Sequence, residues 1–285
     1  MWMGSAFRHA PNIGDCADAV AANQRRQVDF AGSTVSERKQ RHREGACFRT
    51  QRRLSANASA RKKKREAKPF DMEDVTESMR LPSPAPRPQS IAFDGENLWM
   101  GSIETNRLYA INPRQWTIVE ESRAPGKPWG MTVVGDELRV ICGEGEDDSR
   151  VIRRFVPGHG FKAQDAIGCP DDTGSQLSYD GVRLYVSQWY KQRLLGIDER
   201  GNVVHRIDVP HQICGQCYTN GAFYLLTTDD EETSDYFLTR VSANGAGYSS
   251  EDLARVPFAG RALAYDGSRF WTNHRESNQI VAFER

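Results

Sequence analysis

An all-β fold is predicted, a closed ring of repeated antiparallel sheets, and three observations predict it. A hairpin phrase returns: "IAFDGENLWMGS" (91–102), "LSYDGVRLYVSQ" (177–188) and "LAYDGSRFWTNH" (263–274), with looser copies between. The turn glycines Gly95, Gly135, Gly181, Gly221 and Gly267 lie 40, 46, 40 and 46 residues apart, the period of a propeller blade. Both arms of the hairpin are apolar at consecutive positions, Ile91-Ala92-Phe93 and Leu98-Trp99-Met100, so both faces must be covered. Together these specify a five-bladed β-propeller.

Each blade opens with the hairpin, because an apolar run, Asp/Asn-Gly and a second apolar run is a strong short-range hairpin signal. Small residues follow the first large apolar one in four copies: Ala92, Thr132, Ser178 and Ala264. They suit inner strands that crowd towards an axis. The fourth copy reads differently, with Tyr218 at that place and a turn one residue shorter. Third strands follow at "RLYAIN" (107–112), "RVIRRF" (150–155), "RLLGID" (193–198), "YFLTRV" (236–241) and "QIVAFE" (279–284). Fourth strands follow at "TIVEES" (117–122), "KAQDAI" (162–167), "VVHRID" (203–208) and "DLARVP" (252–257). The fifth copy reaches Arg285 with three strands, so its fourth is expected from "DVTESMRL" (74–81). Such a closure removes the unpaired edges that an open ring would expose. "PSPAPRP" (82–88) is a stiff connection to the next inner strand. The propeller is therefore expected over residues 70–285.

Residues 1–69 carry 16 basic and 6 acidic side chains, whereas 70–285 carry 22 and 32, so a neutral chain divides into two segments of opposite charge. The first is rich in Arg, Ala, Ser and Gln and poor in large apolar residues, and a disordered basic segment is expected there. Its "RKKKR" (61–65) reads either as a solvated linker or as a nucleic-acid or nuclear-localisation patch. Met72 is an alternative start, which would leave 1–69 outside the native protein. "MWMGSAFRHAPNIGDC" lacks the apolar core of a secretory signal, its acids argue against a transit peptide, and no run approaches a membrane span. A cytoplasmic location and no membrane partner follow as expectations. Six cysteines in 285 residues is ordinary thiol usage, not a disulfide framework.

The run Asp-Gly, Leu-Trp/Tyr and "NxI/L" before a third strand resembles the NHL, SMP-30 and streptogramin (virginiamycin B) lyase propellers. "LPSPAPRPQSIAFDGENLWMGS" (81–102) is similar to the blade-start phrase of those lyases. The count of five blades resembles the glutaminyl-peptide cyclotransferases of plant and bacterial type. "PQSIAFDGENLWMGS" (88–102), "KPWGMTVVGDEL" (127–138) and "LYVSQWYKQRLLGID" (184–198) carry that resemblance. It implies a propeller fold over about 200 residues and, where the family's chemistry is kept, cyclotransferase activity. Pro128 stands where that family has an acidic residue, its Asn-Glu-Leu-Glu segment is absent, and the lyases' catalytic histidine and glutamate have no counterpart.

Function in propellers gathers on the face that carries the loops into the inner strands and the loops between second and third strands. Residues just before the inner strands should ring that mouth: Gln89-Ser90, Trp129-Gly130, Ser175-Gln176, Gly215-Gln216 and Arg261-Ala262. Arg261 would clamp an anion, Gln176 and Gln216 would pair with an amide, and Trp129 would supply an apolar plate. The second-strand ends give another ring, Ser102, Cys142, Gln188, Thr227 and His274. Gln188 joins the ligand-binding set, and His274 is the candidate base. Each has a structural alternative, as a hydrogen bond between blades or a surface histidine.

"GEGEDDSR" (143–150) and "TDDEETSD" (228–235) could hold calcium but lack EF-hand spacing, so solvated loops are expected and no cofactor is required. Cys214-x-x-Cys217 has no second pair to complete a zinc site and leads into a strand, so no metal is assigned. Three readings follow. The first is a monomeric propeller binding a small molecule or peptide end on its axial face. The second is a cyclotransferase-like or lyase-like enzyme, with a glutamate or His274 moving protons. The third is an interaction scaffold whose basic tail, residues 1–69, binds nucleic acid.

Overall fold

Twenty-one strands form five antiparallel sheets in a computed structural model that describes residues 72–284 apart from 231, 233 and 234. The expectations for residues 1–69, a disordered basic segment with a nucleic-acid patch, lie outside the described residues. Strand β1 (Thr76–Pro82) precedes the first complete blade. Blade 1 holds β2 (Pro88–Phe93), β3 (Leu98–Ser102), β4 (Arg107–Asn112) and β5 (Thr117–Arg123). Blade 2 holds β6 (Lys127–Val134), β7 (Glu137–Glu144), β8 (Ser149–Val156), β9 (Gly160–Phe161) and β10 (Ile167–Gly168). Blade 3 holds β11 (Leu177–Tyr179), β12 (Leu184–Gln188), β13 (Arg193–Ile197) and β14 (Val203–Asp208). Blade 4 holds β15 (Gln212–Thr219), β16 (Ala222–Thr228), β17 (Tyr236–Ala243) and β18 (Tyr248–Val256). Blade 5 holds β19 (Gly260–Tyr265), β20 (Phe270–His274) and β21 (Gln279–Glu284), and β1 completes it.

The closure runs antiparallel, from Thr76 opposite Glu284 to Pro82 opposite Gln279. Inner strands pack in the order β2, β6, β11, β15, β19 and back to β2. Five apolar clusters fill the five seams between blades. Between blades 1 and 2, Trp99 meets Phe155 edge-on at 5.2 Å. Between blades 5 and 1, Met100 and Tyr109 join Trp271 and Ala282. All five residues of β3 are buried, while β5 is mostly exposed. Consecutive apolar residues thus mark strands covered on both sides, and the outer strands face solvent.

The repeated aspartate organises the turn rather than any chemistry. Oδ1 of Asp94 accepts the backbone N–H groups of Glu96 and Asn97, and Oδ2 accepts the indole N–H of Trp99 at 2.6 Å. Asp266 repeats this with Ser268, Arg269 and, at 2.7 Å, Trp271. One carboxylate thereby fixes both the loop and the first large core side chain of the following strand.

Two details differ from the sequence reading. The outer strand of blade 2 is not continuous over 162–167: β9 pairs with Phe155 and Val156, β10 pairs with Val151 and Ile152, and the chain detours between them. Asp165, at φ 67°, turns the chain out of the extended conformation inside that detour. The turn of the fourth copy is not shorter. Tyr218 faces Phe223 as Phe93 faces Leu98, so the loops have equal length and Gly221 sits one place later. Asn220 and Gly221, at φ 51° and 77°, both take the left-handed backbone of the tight hairpin turn. Cys217, not Tyr218, therefore fills the small slot of Ala92, and Gln216 fills the core slot of Ile91.

Asp266 makes the fold acid-sensitive. Burial opposes its ionisation, but the donations from Arg269, Trp271 and Ser268 prevail and hold its pKa at about 2, below the ordinary 3.8. A lowered folded pKa contributes stability that is present above the unfolded value and lost as pH falls through the folded one. Between pH 5 and 2 the wild type is expected to lose about 1–2 kcal/mol from this group. Urea unfolding of Asp266→Asn should lack that increment; an identical pH profile would show that the ionised turn contributes nothing.

Candidate functional site

A β-bulge near the start of the inner strand is the local device that builds the site. In blade 1, Pro88 faces Ser102 and Ser90 faces Gly101, which leaves Gln89 as the extra residue. In blade 2 the extra residue is Trp129, and in blade 4 it is Cys214. In blade 5 the register breaks between Arg261 and Ala264, with Ala262 at φ 60°. A bulge bends the strand and re-aims a side chain. Gln89, Trp129, Ser175 and Arg261, from four blades, line one cavity of about 400 Å³ at the end of the ring that carries the loops into the inner strands.

Arg150, at the start of β8, and the two loops that follow β12 and β20 complete the cavity, adding Trp189, Tyr190, Lys191 and Arg275. Three arginines and a lysine line it, and no carboxylate does among its described lining residues. The guanidinium of Arg150 lies 3.8 Å from the centre of the Trp129 ring, and that of Arg261 lies 4.6 Å from the Trp189 ring. Such stacking is strongest on tryptophan and suits the planar guanidinium.

Each group is held from behind. Asp148 accepts twice: Oδ2 from Nη2 of Arg150 at 3.0 Å, and Oδ1 from the indole N–H of Trp129 at 3.1 Å. The Asp148 carbonyl accepts from Nε of Arg150. Nη1 of Arg261 donates to the Tyr236 hydroxyl at 2.7 Å and to the Gly260 carbonyl. Nη1 of Arg275 donates to Oε1 of Gln89 at 2.9 Å, and its Nε donates to Glu276. Nε2 of Gln89 reaches the Trp129 carbonyl at 3.5 Å, so one amide joins blade 5 to blade 2. The indole N–H of Trp189 donates to Gln212 at 2.5 Å. Burial lowers the pKa of Arg150. Burial and then the charge of Arg261 lower that of Arg275, so two like charges are held near one another beside the cavity.

Of the residues singled out in the sequence, Trp129, Gln188 and Arg261 line the cavity, and Gln176, Gln216 and His274 do not. Gln188 is buried, with Nε2 donating to the Pro170 carbonyl and Oε1 accepting from Arg193. Gln176 is buried and donates to the Trp129 carbonyl at 3.1 Å. Gln216 donates to Ser178 Oγ and the Tyr185 carbonyl, across the seam between blades 3 and 4. The displaced glycine explains it: in the true frame Gln216 lies one residue deeper, and Cys214, at the register of Gln89, is buried in the seam between blades 4 and 5. His274 contacts Arg80, Ser277 and the ring of Phe258, near the closing strand. Burial and then the Arg80 charge lower its pKa. In the acidic loops, Glu144 pairs with Arg153, Asp148 with Arg150 and Asp229 with His211. Cys217 is a half-buried thiol whose pKa desolvation raises.

Gln89 was visible in the sequence as a rim residue, whereas Arg150, Trp189, Lys191 and Arg275 were not assigned to the cavity. Their signal was positional: Arg107, Arg150 and Arg193 each lead a third strand, and Trp189 and Arg275 directly follow the second-strand ends.

Fold and cavity together define a five-bladed β-propeller with a cationic, aromatic-walled depression at its axial mouth. No family profile and no curated protein match the chain. Among solved structures it is similar to the PQQ-bound aldose sugar dehydrogenase of Streptomyces coelicolor, with 12% identity over 74% of this chain and 98% of that one and a TM-score of 0.47. It is similar to a catalytically inactive virginiamycin B lyase from Staphylococcus aureus with quinupristin, with 15% identity over 70% and 67% and a TM-score of 0.44. It is also similar to Myxococcus xanthus glutaminyl cyclase, with 15% identity over 69% and 72% and a TM-score of 0.39. Among the described residues no helix is long and apolar enough to cross a membrane.

Gln216→Ala is expected to lower stability by about 1–3 kcal/mol, because it empties a seam position and removes the donor to two buried acceptors. The fluorescence of the cavity tryptophans should not change. Unaltered urea stability would contradict the assignment of Gln216 to the seam.

Proposed function

We propose that the propeller binds a small anionic molecule, or the carboxylate end of a peptide, in the cavity at its axial mouth. One observation carries this reading: Arg150, Arg261, Arg275 and Lys191 converge on a depression whose lining has no carboxylate among its described residues. Charges gathered in a half-buried site raise one another's energy, and an anion relieves that repulsion. The guanidiniums recognise carboxylate or phosphate by charge-assisted hydrogen bonds, and the Trp129 and Trp189 indoles offer flat apolar surface. The volume of about 400 Å³ accommodates a small molecule or the last residue or two of a chain. A carboxylate suits this lining better than an amine, because the carboxylates paired with Arg150, Arg275 and Lys191, namely Asp148, Glu276 and Asp171, lie outside it.

Tryptophan emission reports on this directly, since two indoles wall the cavity. Titration with benzoate, and with N-acetyl dipeptides ending in a free carboxylate, is expected to give saturable changes that benzamide and the dipeptide amides do not give. Arg275→Gln should weaken the response about tenfold or more, the scale of losing one partner of a desolvated charge pair. Equal responses to acids and amides would overturn the reading.

A further inference from the structure

The cations are not arranged as one patch. Arg261 and Arg275 both belong to blade 5, from the start of β19 and from the loop after β20. Arg150 belongs to blade 2, from the start of β8. Blade 1 stands between them in the ring, since β2 packs against both β6 and β19. Gln89 of blade 1 spans that interval, with Oε1 on Arg275 and Nε2 towards the Trp129 carbonyl. It is 2% exposed and lines the same cavity.

The two groups also differ in their surroundings. Arg275 lies within the electrostatic reach of Arg261, whereas Arg150 is held by Asp148 and stacked on Trp129. A single carboxylate engages one of the two groups. Building on the anion-binding reading above, we infer that the cavity takes a ligand with two separated anionic groups. One is held by Arg261 and Arg275, the other by Arg150, and a short linker lies along Gln89 between the walls of Trp129 and Trp189. The anionic groups are carboxylates or phosphates, which guanidinium binds alike. Gln89, which touches both sides, acts as a spacer that sets the distance between them.

Isothermal titration of the full-length protein with linear α,ω-dicarboxylates, from malonate to suberate, and with their monomethyl esters tests this. Affinity is expected to peak at one chain length. At that length the diacid should bind about tenfold or more tighter than its monoester, because the second contact becomes intramolecular. Arg150→Gln and Arg275→Gln should each abolish the tenfold ratio, so that the diacid and its monoester bind the variant equally well. Thermal unfolding of each variant checks that it is folded, and the wild-type length series stands without them. If monoesters bind as tightly as diacids, or affinity does not depend on length, the two-ended arrangement is overturned and the single-anion reading stands. If neither diacids nor monoesters bind, both fall.

Discussion

The pairing of β1 with β21 is the constraint on which the rest of the molecule depends. Five sheets packed face to face have five seams only if the ring closes, and a blade of three strands would leave an edge open. Closure joins residues about 200 positions apart, from Thr76 opposite Glu284 to Pro82 opposite Gln279. It completes the seam in which Met100 and Tyr109 meet Trp271 and Ala282. It also places blade 5 beside blade 1, and so brings Arg261 and Arg275 to Gln89. The cavity is a consequence of the ring: its lining comes from blades 5, 1, 2 and 3, and no continuous stretch of chain could supply it.

Repetition and function divide the sequence between them. The repeated positions, the turn aspartates Asp94 and Asp266 with their partners Trp99 and Trp271, hold each hairpin to its core. The positions at the start of the inner strands do not repeat: Gln89, Trp129 and Cys214, which are bulged, and Arg261, which precedes the irregularity of blade 5, share only their place. In blades 1 and 2 the bulge takes Gln89 and Trp129 out of the ladder into the cavity lining, whereas in blade 4 the bulged Cys214 turns into the seam with blade 5. In blades 1 and 2 core packing and cavity lining thus draw on different registers of the inner strand, the first below the bulge and the second at it.

This division explains what was legible in the sequence. Blade number, strand order and closure were legible because the hairpin signal is local and both-face burial leaves consecutive apolar residues. Trp129 and Arg261 were legible as rim residues because a fixed offset from the turn glycine finds the start of the inner strand. The same offset fails in the fourth copy, where Gly221 occupies the second turn position, and it carried Gln216 to the rim when its side chain belongs to a seam. Gln176 had the right location but the wrong direction, since its amide turns back to the Trp129 carbonyl. Arg150, Trp189 and Arg275 escaped because their places recur in other blades, Arg150 leading a third strand as Arg107 and Arg193 do, and place alone does not say which of them lines the mouth. Their convergence comes from the curvature of the ring, which no local pattern encodes. The broken outer strand of blade 2 escaped for a related reason: an edge strand needs only one partner, and four residues satisfy it as well as six.

The central claim is that ring closure by β1 holds both the fold and the cavity together. Thermal unfolding of two fragments, residues 70–285 and 83–285, tests it most directly. The first keeps β1 and is expected to unfold cooperatively at the temperature of the full chain. The second lacks β1, loses its ladder to β21, and should lose most of a stability that is typically about 5–15 kcal/mol. Cooperative unfolding of 83–285 at an unchanged temperature would contradict the account.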